Sequence, residues 1–104
     1  MRKITRQACQ AFENGTEFKK NNTTVTVDEN GKYMHLWGHC IARQLNGNTN
    51  SLEINLCGYN TVTTRERLNG LWGVNIHNKN FTPYLNGHEI PINEWVKVGL
   101  RLGV

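Results

Sequence analysis

The sequence predicts an α+β fold, an antiparallel sheet of about five to seven strands with two short helices, in the order α-β-β-β-β-α-β-β. Three observations carry this expectation. Short segments alternate apolar and polar residues at period two, the mark of half-buried strands. Two other segments bear helical periodicity or a capping signal. Five Asn-Gly dipeptides, at Asn14-Gly15, Asn30-Gly31, Asn46-Gly47, Asn69-Gly70 and Asn86-Gly87, divide these segments, several times what chance placement of fifteen Asn and ten Gly gives. Both residues tolerate positive φ, which tight hairpins and helix C-caps require. Mostly hairpin-joined strands with two helices put those helices on one face of the sheet.

The first helix is expected where Ile4, Ala8, Ala11 and Phe12 recur on one helical face, with Asn14-Gly15 as its C-cap. Thr24 to Asp28 alternates as a strand with Val25 and Val27 inward. A turn over Asp28 to Lys32 leads back into a second strand, Tyr33 to Trp37. Gly38-His39 then reads as the central pair of a type II′ turn. In that register Leu36 lies opposite Ile41 on one face of the next strand, Cys40 to Leu45, and Trp37 opposite Cys40 on the other. After a loop from Asn46 to Asn50, Leu52, Ile54 and Leu56 alternate with Glu53 and Asn55 as a fourth strand. Thr63-Thr64-Arg65-Glu66 fits a capping box, Thr63 as N-cap and Glu66 reaching back, opening a short helix that Asn69-Gly70 stops. Val74 and Ile76 start another strand. Pro83 to Leu85 and His88 to Ile90 flank Asn86-Gly87 as a terminal hairpin edged by Pro91. Trp95 to Val98 adds a last short strand, and Trp72 and Trp95 are assigned to the core.

The chain has 104 residues, 38% of them hydrophobic and 19% charged, which suits one domain over residues 1–104 with one modest core. No apolar run approaches the roughly 20 residues needed to cross a bilayer, so no membrane partner is expected. The start, Met1-Arg2-Lys3-Ile4-Thr5-Arg6, is basic but leads into no apolar stretch, so it does not read as a signal peptide. Cys9, Cys40 and Cys57 are odd in number and irregularly spaced, and read as reduced thiols in a cytosol.

Catalytic chemistry finds little support. The single serine, Ser51, sits beside a turn without a nucleophile elbow. Each cysteine reads more simply as a small hydrophobe than as a nucleophile. His35, His39 and Cys40 cluster in sequence, but no Cys-x-x-Cys or second ligand pair completes a metal site. The single aspartate, Asp28, lies in a turn, and no phosphate-cradling glycine motif occurs. The expectation is therefore a non-enzymatic protein with no cofactor and no metal.

The positive charges are more informative. Twelve Lys+Arg against eight Asp+Glu give a net charge of +4, which favours anionic partners. Arg2, Lys3 and Arg6 stand at the N-terminus of the first predicted helix, and Arg65 and Arg67 in the first turn of the second. There the macrodipole disfavours cations by roughly 0.3–1 kcal/mol each, so stability alone does not place them. Arginines beside outward-pointing backbone N–H groups make a site for phosphate or for a partner's carboxylates. Tyr33 and Trp37 are candidate aromatic anchors on the outer sheet face.

The opening Met-Arg-Lys-Ile-Thr, Ala11-Phe12 and above all Thr63-Thr64-Arg65-Glu66-Arg67-Leu68-Asn69-Gly70-Leu71 resemble a family of small, uncharacterised phage-encoded accessory domains, over nearly the whole chain. The resemblance brings no catalytic residues. It implies a short accessory product made in the cytoplasm of a bacterial host and acting by contact. The expected function is binding of a host or phage protein, including inhibition of a defence or transcription component, through Arg65, Arg67, Tyr33 and Trp37. The alternative is a nucleic-acid-binding module in which Arg2, Lys3, Arg6, Arg65 and Arg67 contact phosphate. The helix-strands-helix order resembles that of double-stranded RNA-binding domains, with an extra strand and without their lysine cluster.

Overall fold

A computed structural model describes residues 2–46 and 51–98. Its element order is α1 (Lys3–Asn14), β1 (Phe18–Lys20), β2 (Thr23–Asp28), β3 (Gly31–Leu36), β4 (His39–Leu45), β5 (Leu52–Ile54), α2 (Val62–Asn69), β6 (Ile76–Lys79), β7 (Thr82–Leu85), β8 (His88–Glu89) and β9 (Val96–Lys97). Two antiparallel sheets result, six strands in the order β1-β2-β3-β4-β5-β9 and three in the order β6-β7-β8. The α+β class holds. The terminal hairpin does not extend the main sheet but forms the second one, while the last short strand, β9, returns to pair with β5. β1 is an element the alternation did not reveal. Of the predicted Asn46 to Asn50 loop, residues 47–50 lie outside the described residues, as does Met1.

Alternation explains how the main sheet is packed. One cross-strand row, Phe18, Val25, Met34, Ala42, Ile54 and Val96, runs through all six strands in register. It faces α1, whose Ala8, Ala11 and Phe12 complete the core with Leu52, Leu56, Leu68 and Ile76. The adjacent row, Thr26, Tyr33, Arg43, Glu53 and Lys97, therefore stands on the opposite, polar face. Arg43 bonds Glu53 at 2.9 Å and lies 3.9 Å over the Trp95 ring. Trp95 is thus half-buried on the polar face, and Trp72 is 45% exposed, its backbone N–H donating to Glu13. Neither tryptophan anchors the core, because aliphatic side chains and Phe12 already fill it.

Two turns and one cap differ from the expectation. The β3–β4 turn is centred on Trp37 and Gly38, both at positive φ (51° and 81°), which is type I′ geometry. Leu36 consequently pairs with His39 and His35 with Cys40, and a bulge across Met34/His35 leaves Ile41 as the extra residue on β4. That bulge lets Leu36 and Ile41 both be buried without being partners. Helix α2 starts two residues earlier than the capping box implied. Thr61 is the N-cap, its hydroxyl accepting from the Thr64 N–H at 3.2 Å, while Thr63 lies inside the first turn. Asn14-Gly15 closes α1 as expected, with Gly15 left-handed. Gly70 ends α2 at φ −77°, so its role is not a left-handed cap. A Cβ there would come within 2.5 Å of Cys9 Sγ and 2.9 Å of Thr5, so the glycine permits close approach of α2 to α1.

Candidate functional site

The fold brings two members of the predicted basic site together, Arg2 and Arg67 on the one Glu66 carboxylate, and pairs them there. Arg2 is the N-cap residue of α1, exposed, with its Nε 3.8 Å from Glu66. Lys3 and Arg6 are exposed on the first turns of the same helix. Arg67 is only 2% exposed and lies inside the protein. It donates to Thr23 Oγ1 at 3.0 Å, Thr5 Oγ1 at 2.7 Å and Glu66 Oε1 at 2.6 Å. With Thr61 as cap, Arg67 falls in the last turn of α2, where the dipole favours a cation. Its expected surface contact is corrected to a structural role. Arg65 remains half-exposed, its Nη1 donating to both Asn60 O and Asn60 Oδ1. Arg67, internal and bonded to Glu66, thus presents no charge to a phosphate, and Arg65 is held on Asn60.

The aromatic anchors separate. Tyr33 is half-buried on the polar sheet face, opposite Arg43 and 3.4 Å from Asp28 through its hydroxyl. Loss of hydration, then the Asp28 carboxylate, pushes its phenol upward. Trp37 stands at a hairpin tip, 54% exposed.

A second group of residues, of which the sequence singled out only Trp37 as a contact, gathers around the loop between β5 and α2. The His39 ring lies 5.1 Å from Tyr59, connecting that loop to the Trp37 turn. Asn60 Nδ2 donates to Asn78 Oδ1 and to the Phe81 carbonyl, joining it to the β6–β7 turn. The Gly58 N–H donates to the Ile92 carbonyl. Five of the exposed large apolar residues, Trp37, Tyr59, Val62, Phe81 and Ile92, therefore lie on or beside this one loop, with Phe81 93% and Val62 74% exposed.

Backbone geometry marks the same place. Among the described non-glycine residues with positive φ, three are asparagines, which tolerate it, and the others are Trp37, Cys57 and Phe81 (51°, 57° and 64°). A bulky side chain in this region costs on the order of 1–3 kcal/mol. All three belong to the loop or to the turns it touches. Such strain gathers where a surface is used, which is how an outlier points to a site. The sequence signal was present for Trp37, beside a Gly turn. For Phe81 it was absent, since Asn80-Phe81 does not read as a tight turn.

Burial favours the neutral forms of His35, Cys40, Cys57 and Cys9. His35 and Cys40 are cross-strand neighbours, whereas His39 turns to Tyr59, so the sequence cluster does not converge. Burial lowers the His35 imidazole and raises the Cys40 and Cys57 thiols. Both effects oppose a thiolate–imidazolium pair. Burial, then Glu13, pushes Cys9 up to about 12. Among the described residues no group of three or more His, Cys, Asp or Glu gathers to hold a metal ion, and no helix is long and apolar enough to cross a membrane.

Fold and surface together define a small α+β protein with an apolar, strained rim around one loop. The chain belongs to the Kyanoviridae Gp96 protein family, a phage protein family that it matches over residues 1–102. No curated protein and no solved structure matches it.

Proposed function

We propose that this chain is a phage accessory protein that works in the cytoplasm of a bacterial host by binding another protein, a host or phage component, with inhibition of defence or transcription machinery as the outcome. The observation that carries the reading is the set of exposed apolar residues around the β5–α2 loop, Trp37 and Phe81 foremost, held in left-handed backbone that stability alone disfavours. Aromatic anchors of this kind dominate protein interfaces, where a few side chains carry most of the binding energy. Family membership supplies the phage context. The nucleic-acid reading loses support because Arg67 is internal and the exposed cations at the start of α1 number only three.

Affinity capture from infected host lysate tests the reading, with nuclease treatment in parallel. The wild-type chain recovers a stoichiometric protein partner that survives nuclease, and a Trp37→Ser, Phe81→Ser double variant loses it. Recovery of nucleic acid alone, or equal capture by the double variant, overturns it.

A further inference from the structure

We propose that the groove between α2 and β6 is a carboxylate-binding site, which seats an acidic side chain of the partner protein together with an apolar neighbour. This rests on the protein-binding reading and deepens it. The groove encloses about 510 Å³ and is lined by Val62, Arg65, Glu66, Asn69, Ile76, His77 and Asn78. Its volume lies within the range of small-ligand sites.

Hydrogen bonding decides its charge. Glu66 is engaged by Arg67 and Thr5, with Arg2 beyond. Asn69 closes the first position of the β6 edge, its Oδ1 accepting from the Ile76 N–H and its Nδ2 donating to the Ile76 carbonyl. Asn78 Oδ1 accepts from Asn60, and His77 stacks on Tyr84 at 5.4 Å. Arg65 has no carboxylate partner among the described residues. Its two Nη1 bonds to Asn60 fix the guanidinium and occupy the hydrogens of that nitrogen. The Nε–H and Nη2–H groups are left, and their side-by-side arrangement matches the two oxygens of one carboxylate. The unneutralised charge in the groove is therefore positive and already oriented. Val62 and the Phe81 turn beside it offer apolar surface to the residue next to the acid. A nucleic-acid backbone fits less well, because a single guanidinium neutralises one phosphate and binding of that kind needs several.

The test titrates isotope-labelled full-length protein, followed by NMR, with three probes: a capped hexapeptide of alternating Leu and Asp, its Leu-Asn counterpart, and a twelve-nucleotide oligothymidylate. The Leu-Asp peptide is expected to shift the amides of Val62, Arg65, Ile76 and Asn78 and to bind at least tenfold more tightly than the Leu-Asn peptide. Arg65→Gln removes that difference, and Asn60→Ala, which deletes the Oδ1 bond and leaves only the one to the Asn60 backbone carbonyl, reduces it. Equal binding of the two peptides, shifts centred elsewhere, or tighter binding of the oligonucleotide at the groove overturns the proposal. Capture of the lysate partner separates this from the broader reading. If Arg65→Gln keeps the partner while the Trp37→Ser, Phe81→Ser variant loses it, the groove assignment fails and protein binding stands.

Discussion

Arg67 is the residue on which the two helices and the sheet converge. Its guanidinium, almost fully buried, joins Thr5 of α1, Thr23 of β2 and Glu66 of its own helix. Arg67→Ala is expected to destabilise the protein by about 3 kcal/mol, the usual scale for removing one partner of a buried pair. A urea titration measures this, and a loss within the scatter of surface substitutions would count against the network. Titratable groups give a pH signature. His35 has a folded pKa below its ordinary 6.5, so the unfolded chain binds the extra proton first. Its contribution to stability is present above pH 6.5 and lost as the pH falls through the depressed folded value. His35→Gln should flatten that acid limb in thermal melts across the pH range. Cys9, raised from 9.0 to about 12, acts at the other end: its contribution is intact below pH 9 and disappears as the pH climbs toward 12. Alkylation of the folded protein should accordingly reach Cys40 and Cys57 well before Cys9, and unfolding should abolish the order.

At the level of elements, the caps and turns separate what was legible in the sequence from what was not. The Val25 and Ile54 strands, α1 with its Asn14-Gly15 cap and the Asn86-Gly87 hairpin were readable, because period-two alternation and Asn-Gly turns act locally. The start of α2 was ambiguous. Thr61 with Thr64 and Thr63 with Glu66 both have capping spacing, and only tertiary contact with α1, through Glu66 and Arg67, selects the first. Thr61→Ala should cost about 1 kcal/mol and Thr63→Ala at most a few tenths, measured by chemical denaturation. β1 was hidden because Phe18-Lys19-Lys20 is too short to show a period. The β6–β7 turn was hidden because an aromatic residue stands where Gly is preferred. Phe81→Gly gives that turn the favoured Asn-Gly pair and should stabilise the fold by about 1 kcal/mol while weakening partner capture. Stabilisation with full capture would detach the strain from function.

Across the whole molecule, charge and apolar surface are distributed so that they test the two readings against each other. The net charge of +4 suggested one cationic corner, yet the fold places Arg67 inside, pairs Arg43 with Glu53 and fixes Arg65 on Asn60. Sequence reasoning placed Trp37 on the outer sheet face, whereas the fold sets it at a hairpin tip, and Tyr59 and Phe81 are drawn towards that tip through the side-chain contacts of His39 and Asn60, which no local pattern encodes. Arg2, Lys3 and Arg6 remain as the cations gathered at one helix end. Three phosphate contacts would give a slope of log affinity against log salt no steeper than about −3. An interface built on Trp37, Phe81 and their neighbours, with one oriented guanidinium, depends on salt much less, because apolar burial carries it. Partner binding is therefore expected to fall by less than about threefold between roughly 50 and 200 mM salt, and to survive replacement of Arg2, Lys3 and Arg6 by Gln. Calorimetry or surface resonance with the captured partner measures both. A steep salt slope that this triple replacement flattens would move the binding surface from the loop to the start of α1, and with it the class of molecule bound.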